Sequence, residues 1–263
     1  MRISGSTVLL TGATGGIGHA IARELHARGA QLTLTGRRAD VLDPLAAELN
    51  ASALAVNLAD RAELDGLLEE ARASDILIAN AAMPAAGRLE SFTQEEVDRT
   101  LEVNLRAPVA LVHGLLPGML ERGRGHLVFI SSIAGKTTVP GNPLYHATKF
   151  ALRGFAGGLR ADLHGSGVGV SCIFPGFIRD AGFFADSGVK LPPGVGTRSP
   201  EDVARGVTRA IEHNRGEVDV ASFIQRGGAL AAGLAPDLAA KVVRHLGGNE
   251  IAREMEQGLR DKR

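Results

Sequence analysis

Apolar residues follow two spacings that alternate along the chain. Short apolar runs such as residues 7–10 and 75–79 are typical of buried strands, whereas residues 18–28 place apolar side chains every three to four positions, as a helix does. Strands are predicted at residues 7–10, 31–35, 53–56, 75–79, 125–130, 169–174 and 217–220. Helices are predicted between them at residues 18–28, 39–49, 61–73, 93–120 and 143–164, and a further helix opens at Ser199.

The predicted strands carry continuous apolar runs instead of an apolar–polar alternation. Such strands, separated by helices, indicate an α/β fold in which a parallel sheet is covered on both faces. We expect one domain over residues 1–221. Residues 222–263 are rich in Ala, Leu and Gly, with three short helical stretches broken near Pro236 and at residues 247–248. We expect a helical extension packed on the domain; an amphipathic arm for a partner or a membrane surface is the alternative.

Composition narrows the class of protein. The 263 residues are 44% hydrophobic and 22% charged, which excludes an intrinsically disordered chain. Because 29 Lys and Arg balance 29 Asp and Glu, the net charge gives no bulk attraction to nucleic acid or to an anionic membrane. The single cysteine, Cys172, excludes an internal disulfide and a cysteine-based zinc site. With no signal segment or membrane span expected, we predict a cytoplasmic protein without a metal site.

Glycine, at 34 residues, is the outlier in the composition, and part of it is concentrated in one turn. Between the first predicted strand and helix the chain reads Thr11-Gly-Ala-Thr-Gly-Gly-Ile-Gly18. Glycines allow a sharp turn and a close approach to a phosphate, and the helix start that follows offers free N–H groups and the positive end of its dipole. The turn therefore predicts a site for the pyrophosphate of a dinucleotide.

A second group of residues carries chemistry. Tyr145, the only tyrosine, precedes Lys149 by four positions on a predicted helix, so the two share a face. A nearby ammonium stabilises a phenolate, and on that basis we expect the Tyr145 pKa to fall below its usual value near 10. Ser132 follows the fifth predicted strand, at the sheet edge where doubly wound folds bind ligands. Ser131 is the competing serine.

Taken in order, these motifs resemble the short-chain dehydrogenase/reductase family. The resemblance is carried by Thr11-Gly12-x-x-x-Gly16-x-Gly18, Asn80-Ala81-Ala82, Asn104, Ser132, Tyr145-x-x-x-Lys149 and Pro175-Gly176. It implies a Rossmann-like, doubly wound sheet of about seven strands. It also implies an enzyme that interconverts a ketone or aldehyde and an alcohol by hydride transfer, using a nicotinamide cofactor.

The resemblance assigns the cofactor contacts by position. An acidic residue that selects NAD(H) in the family is replaced by Gly36, followed by Arg37 and Arg38, whose guanidinium groups suit a 2′-phosphate. We therefore expect a preference for NADP(H), with NAD(H) possible; solvated surface arginines are the alternative. The remaining expected contacts are Gly12, Thr14, Gly15, Gly16, Ile17, Gly18, Asn57, Leu58, Asn80, Ala81, Ala82, Tyr145, Lys149, Pro175, Gly176 and Ile178.

Two of these positions depart from the family pattern. Asn57 stands where an aspartate usually binds adenine, and Asp180 lies near the position of a threonine that usually binds the nicotinamide carboxamide. An amide oxygen can still accept the adenine hydrogen bond. At Asp180 the hydroxyl contact is absent, so the backbone of Ile178 is the expected substitute.

The resemblance also implies the catalytic roles. Tyr145 exchanges a proton with the substrate oxygen, Ser132 holds that oxygen, and Lys149 contacts the nicotinamide ribose and tunes Tyr145. Asn104 is expected to hold a water that links the lysine to solvent; a polar residue on the solvent face of its helix is the alternative.

The substrate is expected to be a hydrophobic carbonyl or alcohol. Its walls are predicted at residues 83–89, 133–144 and 177–197, the last of which contains Phe177, Phe183, Phe184, Val189 and Leu191. Other readings are a cofactor-binding sensor without turnover, an epimerase or dehydratase of the same fold, and a reductase of carrier-bound substrates docked through Arg153, Arg160 and Arg179. We expect a homodimer formed by the helices at 93–120 and 143–164, with a tetramer possible.

Overall fold

A parallel sheet forms the centre of the computed structural model, which describes residues 1–191, 194–245 and 248–259. Its strands are β1 (Thr7–Thr11), β2 (Gln31–Gly36), β3 (Ser52–Ala55), β4 (Ile76–Ala79), β5 (Gly125–Ile130), β6 (Val168–Pro175) and β7 (Glu217–Val220). They pair in the order β3-β2-β1-β4-β5-β6-β7, and every pairing is parallel. The predicted α/β class and the seven strands are confirmed.

Eleven α-helices of the described residues surround or extend the sheet. They are α1 (Gly16–Ala27), α2 (Ala39–Glu48), α3 (Arg61–Glu70), α4 (Gln94–Leu101), α5 (Ala107–Glu121), α6 (Pro143–Asp162), α7 (Gly182–Ser187), α8 (Pro200–Glu212), α9 (Phe223–Leu234), α10 (Pro236–His245) and α11 (Gly248–Leu259). Several starts follow from local chemistry. Thr93 and Ser199 each form a reciprocal capping box, with Glu96 and Asp202 respectively.

Side chains of successive strand residues enter two separate cores. On β1, Val8 and Leu10 pack with helices α1, α2 and α8, whereas Leu9 packs with α3, α5 and α6. Because both faces are covered, the strands need apolar residues on both sides, which explains the unbroken apolar runs in the sequence.

The connections reverse direction between β1 and β4. From β1 the chain moves outward to β2 and β3, then returns to β4 and continues in the other direction through β5, β6 and β7. The loops that leave the carboxyl ends of β1 and β4 therefore separate, and a crevice opens between them. The residues predicted for the functional site line this crevice.

The helix predicted at residues 93–120 is not regular throughout. A π-helical turn, Glu102–Arg106, joins α4 to α5. Within the described part of the chain, the continuous segment Gln94–Glu121 is also the one helix that is long and apolar enough to cross a membrane by length and composition alone. Its residues Leu111, Val112 and Leu115 are buried against the sheet, as in a core helix.

The C-terminal helices differ in how they pack. Helix α11 is seated on α7 and on the loop before α6: a Cβ added at Gly258 would lie 2.2 Å from the Ser187 carbonyl oxygen, and one added at Gly141 would lie 2.6 Å from the Ala252 Cβ. By contrast, α9 buries only Ala229, and α10 buries none of its residues. Pro236 begins α10, at the predicted break. Gly247, at the second predicted break, lies outside the described residues.

Candidate active site

A cleft of about 1060 Å³ occupies the crevice at the carboxyl ends of the strands. Nearly all the residues predicted for the site line it, although they come from the turns after β1, β2, β3, β4, β5 and β6 and from α6. They are Gly12, Thr14, Gly15, Gly16, Ile17, Gly18, Arg37, Arg38, Asn57, Leu58, Asn80, Ala81, Ala82, Ser132, Tyr145, Lys149, Pro175, Gly176 and Ile178. Asn104 is the exception and lies beneath the wall of the cleft.

Two glycines of the glycine-rich turn leave no room for a side chain. Gly12 has φ +68°, and a Cβ there would lie 2.7 Å from the Ala81 Cα. A Cβ at Gly18 would lie 2.3 Å from the Gly12 carbonyl oxygen. Helix α1 begins at Gly16 without a side-chain cap, so its first N–H groups are available to a ligand in the cleft. The arrangement fits a phosphate approaching the backbone closely.

Asn80 fixes this turn to the neighbouring strand. Its side-chain amide donates to the carbonyl oxygens of Thr11 and Gly12, both at 3.0 Å. The Thr11 hydroxyl in turn accepts from the backbone N–H groups of Asn80 and Ala81, both at 3.1 Å. These bonds hold the glycine-rich turn against the end of β4, beside the expected cofactor site.

Gly36 is constrained by Thr14 across the cleft floor. A Cβ at Gly36 would lie 2.6 Å from the Thr14 Cγ2, so a side chain at position 36 would force Thr14 to move. The next residues, Arg37 and Arg38, are exposed on the cleft rim. Arg38 donates from Nη2 to the Thr14 carbonyl oxygen at 2.7 Å, which holds its guanidinium against the glycine-rich turn.

Asn57 lines the cleft, and its side chain also forms a hydrogen bond within its own loop. Its amide oxygen accepts from the Ala59 N–H at 3.3 Å, and its own N–H donates to the Glu63 carboxylate at 2.6 Å. An oxygen with two lone pairs has capacity for one more donor. The geometry therefore leaves the adenine contact expected of Asn57 available.

The two candidate serines have different surroundings. Ser131 is buried, and its hydroxyl donates to the Lys149 carbonyl oxygen at 2.9 Å, which ties the turn after β5 to α6. Ser132 is half-buried; its hydroxyl accepts from the Ala134 N–H at 3.2 Å, donates to the Pro175 carbonyl oxygen at 3.4 Å, and lies near enough to Tyr145 to lower the pKa of the phenol. Contact with the tyrosine favours Ser132 as the residue that acts on a substrate oxygen.

The expected lowering of the Tyr145 pKa is wrong for this structure. Burial raises the pKa of the phenol to about 12, and the hydrogen bond with Ser132 offsets that only in part. Burial also lowers the pKa of Lys149 to about 8. The Lys149 ammonium lies 5.5 Å from the centre of the Tyr145 ring and donates to the Ile130 carbonyl oxygen at 3.0 Å. Desolvation therefore outweighs the attraction between the ammonium and a phenolate.

Asn104 lies in the π-helical turn and is buried, so the alternative of a solvent-facing residue is wrong. Its amide oxygen accepts from the Met83 N–H at 2.6 Å, and its amide nitrogen donates to the Met83 carbonyl oxygen at 3.0 Å. The side chain thus secures the loop after β4 at the wall of the cleft. A water relay through Asn104 stays a prediction.

His146 is a site residue that the sequence reasoning missed. Its Nε2 accepts from the Val139 N–H at 3.0 Å, and Nδ1 donates to the Ala134 carbonyl oxygen at 2.8 Å. This pair of bonds requires the neutral ring, and burial lowers the pKa of His146 accordingly. The ring holds the segment after Ser132 against α6, next to Tyr145. Its adjacency to the tyrosine was the only signal in the sequence.

The segment after Gly176 is held at both ends. Ile178 forms a bridge with Arg198, in which the Arg179 N–H donates to the Arg198 carbonyl and the Arg198 N–H donates to the Phe177 carbonyl, both at 2.9 Å. Neither bond uses the backbone groups of Ile178, a residue that lines the cleft. Asp180 has a left-handed backbone conformation, with φ +66°, and its carboxylate lies 3.5 Å from the Arg179 guanidinium. It therefore does not take the place of the family's threonine.

The substrate side of the cleft is largely apolar, with one wall that was not predicted. Met83, Ile133, Phe177, Phe183 and Phe184 line it as expected, and Phe183 packs edge-on against Tyr145 with ring centres 5.8 Å apart. Val189 and Leu191 do not line the cleft. Their place is taken by residues of the C-terminal helices: Val243, Ile251, Ala252, Met255 and Leu259. The four-residue spacing of Ile251, Met255 and Leu259 places them on one helix face, a signal present in the sequence.

Two of the three arginines considered for docking a carrier protein are engaged within the protein. Arg153 pairs with Glu217 at 2.7 Å. Arg160 donates to the Val170 carbonyl and to the side chain and carbonyl of Asn214, each at 2.7 Å. Because these two guanidinium groups bind within the protein, they are not free to recognise an acidic partner.

Comparison with known proteins identifies relatives along most of the chain. A family model described as short chain dehydrogenase matches residues 6–187. The chain is 34% identical over 227 residues to the ketoacyl reductase HetN of a Nostoc species, covering 83% of this chain and 79% of that protein. It is 34% identical over 241 residues to dehydrogenase/reductase SDR family member 7B of Bos taurus, covering 83% and 74%.

The fold has solved counterparts as well. A short-chain dehydrogenase from Sphingobium yanoikuyae, solved in complex with NADPH, superimposes with a TM-score of 0.78 at 27% identity. The similarity covers 89% of this chain and 95% of that one.

Proposed function

The chain belongs to the short-chain dehydrogenase/reductase family and is an oxidoreductase of that family, and we propose that it reduces a hydrophobic ketone or aldehyde with NADPH. The observation that carries this proposal is the meeting of Ser132, Tyr145 and Lys149 in a cleft whose far side is apolar. The relatives have related activities by name, and one solved neighbour binds NADPH.

The residues of the cleft fit a dinucleotide. Gly12 and Gly18 occupy positions where a Cβ would collide with backbone, so the cradle needs glycine there. The uncapped start of α1 supplies N–H donors for the pyrophosphate. Asn57, Leu58 and Ile178 line the same cleft, which supports the proposed contacts of the first two with adenine and of the Ile178 backbone with a carboxamide. When bound, the nicotinamide supplies or accepts the hydride.

Selection of NADP(H) is supported by four residues. Gly36 presents no carboxylate to repel a 2′-phosphate, and Thr14 occupies the space that such a side chain would need. Arg38 is fixed beside the glycine-rich turn by its hydrogen bond to Thr14, with Arg37 next to it on the rim. A guanidinium can donate two parallel hydrogen bonds to a phosphate, which favours the phosphorylated cofactor.

In the proposed reduction, Tyr145 donates its phenolic proton to the substrate oxygen while Ser132 donates a hydrogen bond to the same oxygen. A phenol whose pKa is about 12 is fully protonated at neutral pH, so it is in the correct form to act as the acid. Lys149 lies below the tyrosine and stabilises the phenolate that remains. Asn104 acts by holding the loop at Met83, through the two hydrogen bonds to its backbone.

The apolar wall points to the class of substrate. Phe177 and Phe184 pack with ring centres 4.9 Å apart, and Phe183 covers the Tyr145 ring. Ile251 and Met255 of α11, the helix that packs on α7, also line the cleft. A substrate that fills this chamber needs extensive apolar surface beside its carbonyl group.

The test is a pair of measurements on the full chain. We expect NADPH to bind more tightly than NADH, and oxidation of NADPH in the presence of a panel of bulky apolar ketones. Arg38→Ala should weaken NADPH binding by about tenfold and leave NADH binding nearly unchanged, because one charge-assisted contact to a phosphate is lost. Equal affinity for the two cofactors would exclude the proposed selectivity.

A cofactor-binding sensor without turnover is the alternative reading. Tight NADPH binding with no oxidation across the panel would favour it, and the intact Ser132, Tyr145 and Lys149 speak against it.

A homodimer through α4–α5 and α6 also stays a proposal. Leu101, Leu120 and Phe150 on those helices are exposed, as residues of an unoccupied interface would be. The mass in solution of a Phe150→Glu variant tests it.

A further inference from the structure

Exposed apolar side chains are concentrated on the helical hairpin formed by α9 and α10. Of the eleven large apolar side chains that the described residues expose, six lie here, with exposed fractions from 48% for Val242 to 83% for Phe223. The six are Phe223, Ile224, Leu230, Leu234, Leu238 and Val242. Such a concentration marks a surface that binds something.

These side chains form stripes along the helices. Phe223, Leu230 and Leu234 are separated by seven and four residues, so they lie on one face of α9; Leu238 and Val242 are four apart on α10. The opposite side of α9 carries the buried Ala229. The hairpin therefore turns one side toward the protein and an apolar stripe toward the solvent.

Positive charge accompanies the apolar stripe. Residues 222–245 contain Arg226, Lys241 and Arg244 but only one acidic residue, Asp237, in a chain whose net charge is zero. Arg226 lies 3.8 Å from an Asp219 carboxylate oxygen. Lys241 and Arg244 make no ion pair with any of the described residues. Lys241 lies one turn from Leu238 on the same side of α10, where a long cationic side chain can extend beside the apolar stripe.

From these observations we propose that the α9–α10 hairpin docks on an anionic lipid bilayer. An apolar stripe with flanking cations is the pattern of a helix that lies in the membrane interface, where the apolar side chains enter the acyl region and the cations meet lipid phosphates. The overall charge balance excludes only a bulk attraction; the local charge of this hairpin is positive.

A second copy of the chain is a poorer occupant. A two-fold dimer would place the same patch on both sides of the interface. The cations of both hairpins would then share one interface, with Asp237 as the single acidic residue of each hairpin to offset them. A lipid surface satisfies the apolar and the cationic residues together.

The position of the hairpin gives the docking a purpose. Val243, next to the exposed Val242, lines the catalytic cleft, and α10 leads into the α11 wall. A bilayer at this face would lie beside the apolar side of the cleft, so an apolar compound dissolved in the membrane would have a short path to it. Docking itself does not depend on the reaction at Tyr145.

Flotation with vesicles tests the proposal. The full chain should float with vesicles of phosphatidylcholine mixed with phosphatidylglycerol, and much less with phosphatidylcholine alone. Leu234→Glu combined with Leu238→Glu should weaken binding by at least about tenfold, because two apolar side chains no longer enter the membrane. Lys241→Glu combined with Arg244→Glu should remove the preference for the anionic vesicles.

Two control variants make the result specific. Leu89→Glu changes another exposed leucine, outside the hairpin, and should bind vesicles as the unmodified chain does. Tyr145→Phe should also bind normally, which separates docking from the proposed reaction. The melting temperature of each variant establishes that it is folded.

Three results would overturn the proposal. The unmodified chain could stay unbound with both kinds of vesicle, or the leucine double variant could bind as tightly as the unmodified chain. In the third result, the leucine double variant would form a smaller particle in solution while the unmodified chain binds no vesicles. That outcome would assign the face to a second copy of the chain.

Discussion

Buried polar groups lie at both edges of the sheet, and the two edges use them differently. At the amino edge, His126 on β5 shares a 2.8 Å hydrogen bond with Ser171 on β6, and Ser171 donates to the Arg215 carbonyl at 2.6 Å. At the carboxyl edge, Ser132, Tyr145 and Lys149 converge on the cleft. The first set of hydrogen bonds closes within the protein, whereas the second leaves groups directed at a space where a ligand can bind.

The pKa values of the two edges show the same contrast. Burial lowers the pKa of His126 to about 3, so the ring is neutral and exchanges no proton in the physiological range. Burial lowers the pKa of Lys149 only to about 8, so its ammonium is retained at neutral pH inside the protein. A buried charge is costly, and the fold keeps it at the edge where chemistry is proposed.

The largest expected effect is a loss of activity at the carboxyl edge, without a loss of stability. Tyr145→Phe removes the proton donor and should reduce kcat for NADPH-dependent ketone reduction by about 100-fold or more. The ring and its contact with Phe183 remain, so the melting temperature and the Kd for NADPH should change little. Retention of most of the activity would show that this tyrosine is not the acid.

A matched pair of serines sharpens the contrast within one turn. Ser132→Ala should lower kcat by roughly tenfold or more, because a hydrogen bond to the developing charge is lost. Ser131→Ala should leave kcat within about twofold and instead lower the free energy of unfolding by about 1 kcal/mol, since the Lys149 carbonyl loses its donor. Steady-state kinetics and thermal unfolding of both variants measure the difference. The reverse pattern would assign catalysis to Ser131.

At the amino edge the expected effect is on stability alone. Ser171→Ala leaves the buried His126 ring and the Arg215 carbonyl without their shared hydroxyl, which should cost about 1–3 kcal/mol of unfolding free energy. For a chain of this size we expect the melting temperature to fall by several degrees. The kcat should be unchanged; a loss of activity without a loss of stability would remove the distinction between the two edges.

The smallest expected effect is the pH dependence of stability that Lys149 causes. The folded pKa of about 8 lies below the ordinary value of 10.5, so between these values the unfolded chain holds a proton that the folded chain has released. Stability of the unmodified chain should therefore rise relative to Lys149→Met as pH increases through that window. The difference in melting temperature between the two proteins, followed from about pH 7 to about pH 10, measures it. A constant difference would mean that the folded pKa is ordinary.

Local patterns were sufficient to predict the order of the elements and most of the cleft. Apolar runs marked the strands, and Thr93 and Ser199 marked helix starts. The glycine-rich turn lies between β1 and α1, as the sequence predicted. The π-helical turn could not be predicted, because residues 102–106 form an ordinary helical pattern and the Met83 contact of Asn104 is distant in sequence.

The features that the sequence did not predict depend on long-range packing. The Tyr145 pKa depends on how deeply the fold buries the phenol, and no spacing of Tyr and Lys reports that. Helix α11 lines the cleft because it docks on α7 through the tight contact of Gly258 with Ser187. The spacing of Ile251, Met255 and Leu259 predicts an apolar helix face, but it does not show that this face lines the cleft.

The contact between Thr14 and Gly36 couples two positions that are distant in sequence. A Cβ at position 36 would lie 2.6 Å from the Thr14 Cγ2, so an aspartate there requires the Thr14 side chain to move. A change of cofactor preference toward NADH, by natural divergence or by laboratory evolution, therefore involves both positions. Libraries that vary positions 14 and 36 together should yield NADH-preferring variants more often than libraries that vary position 36 alone.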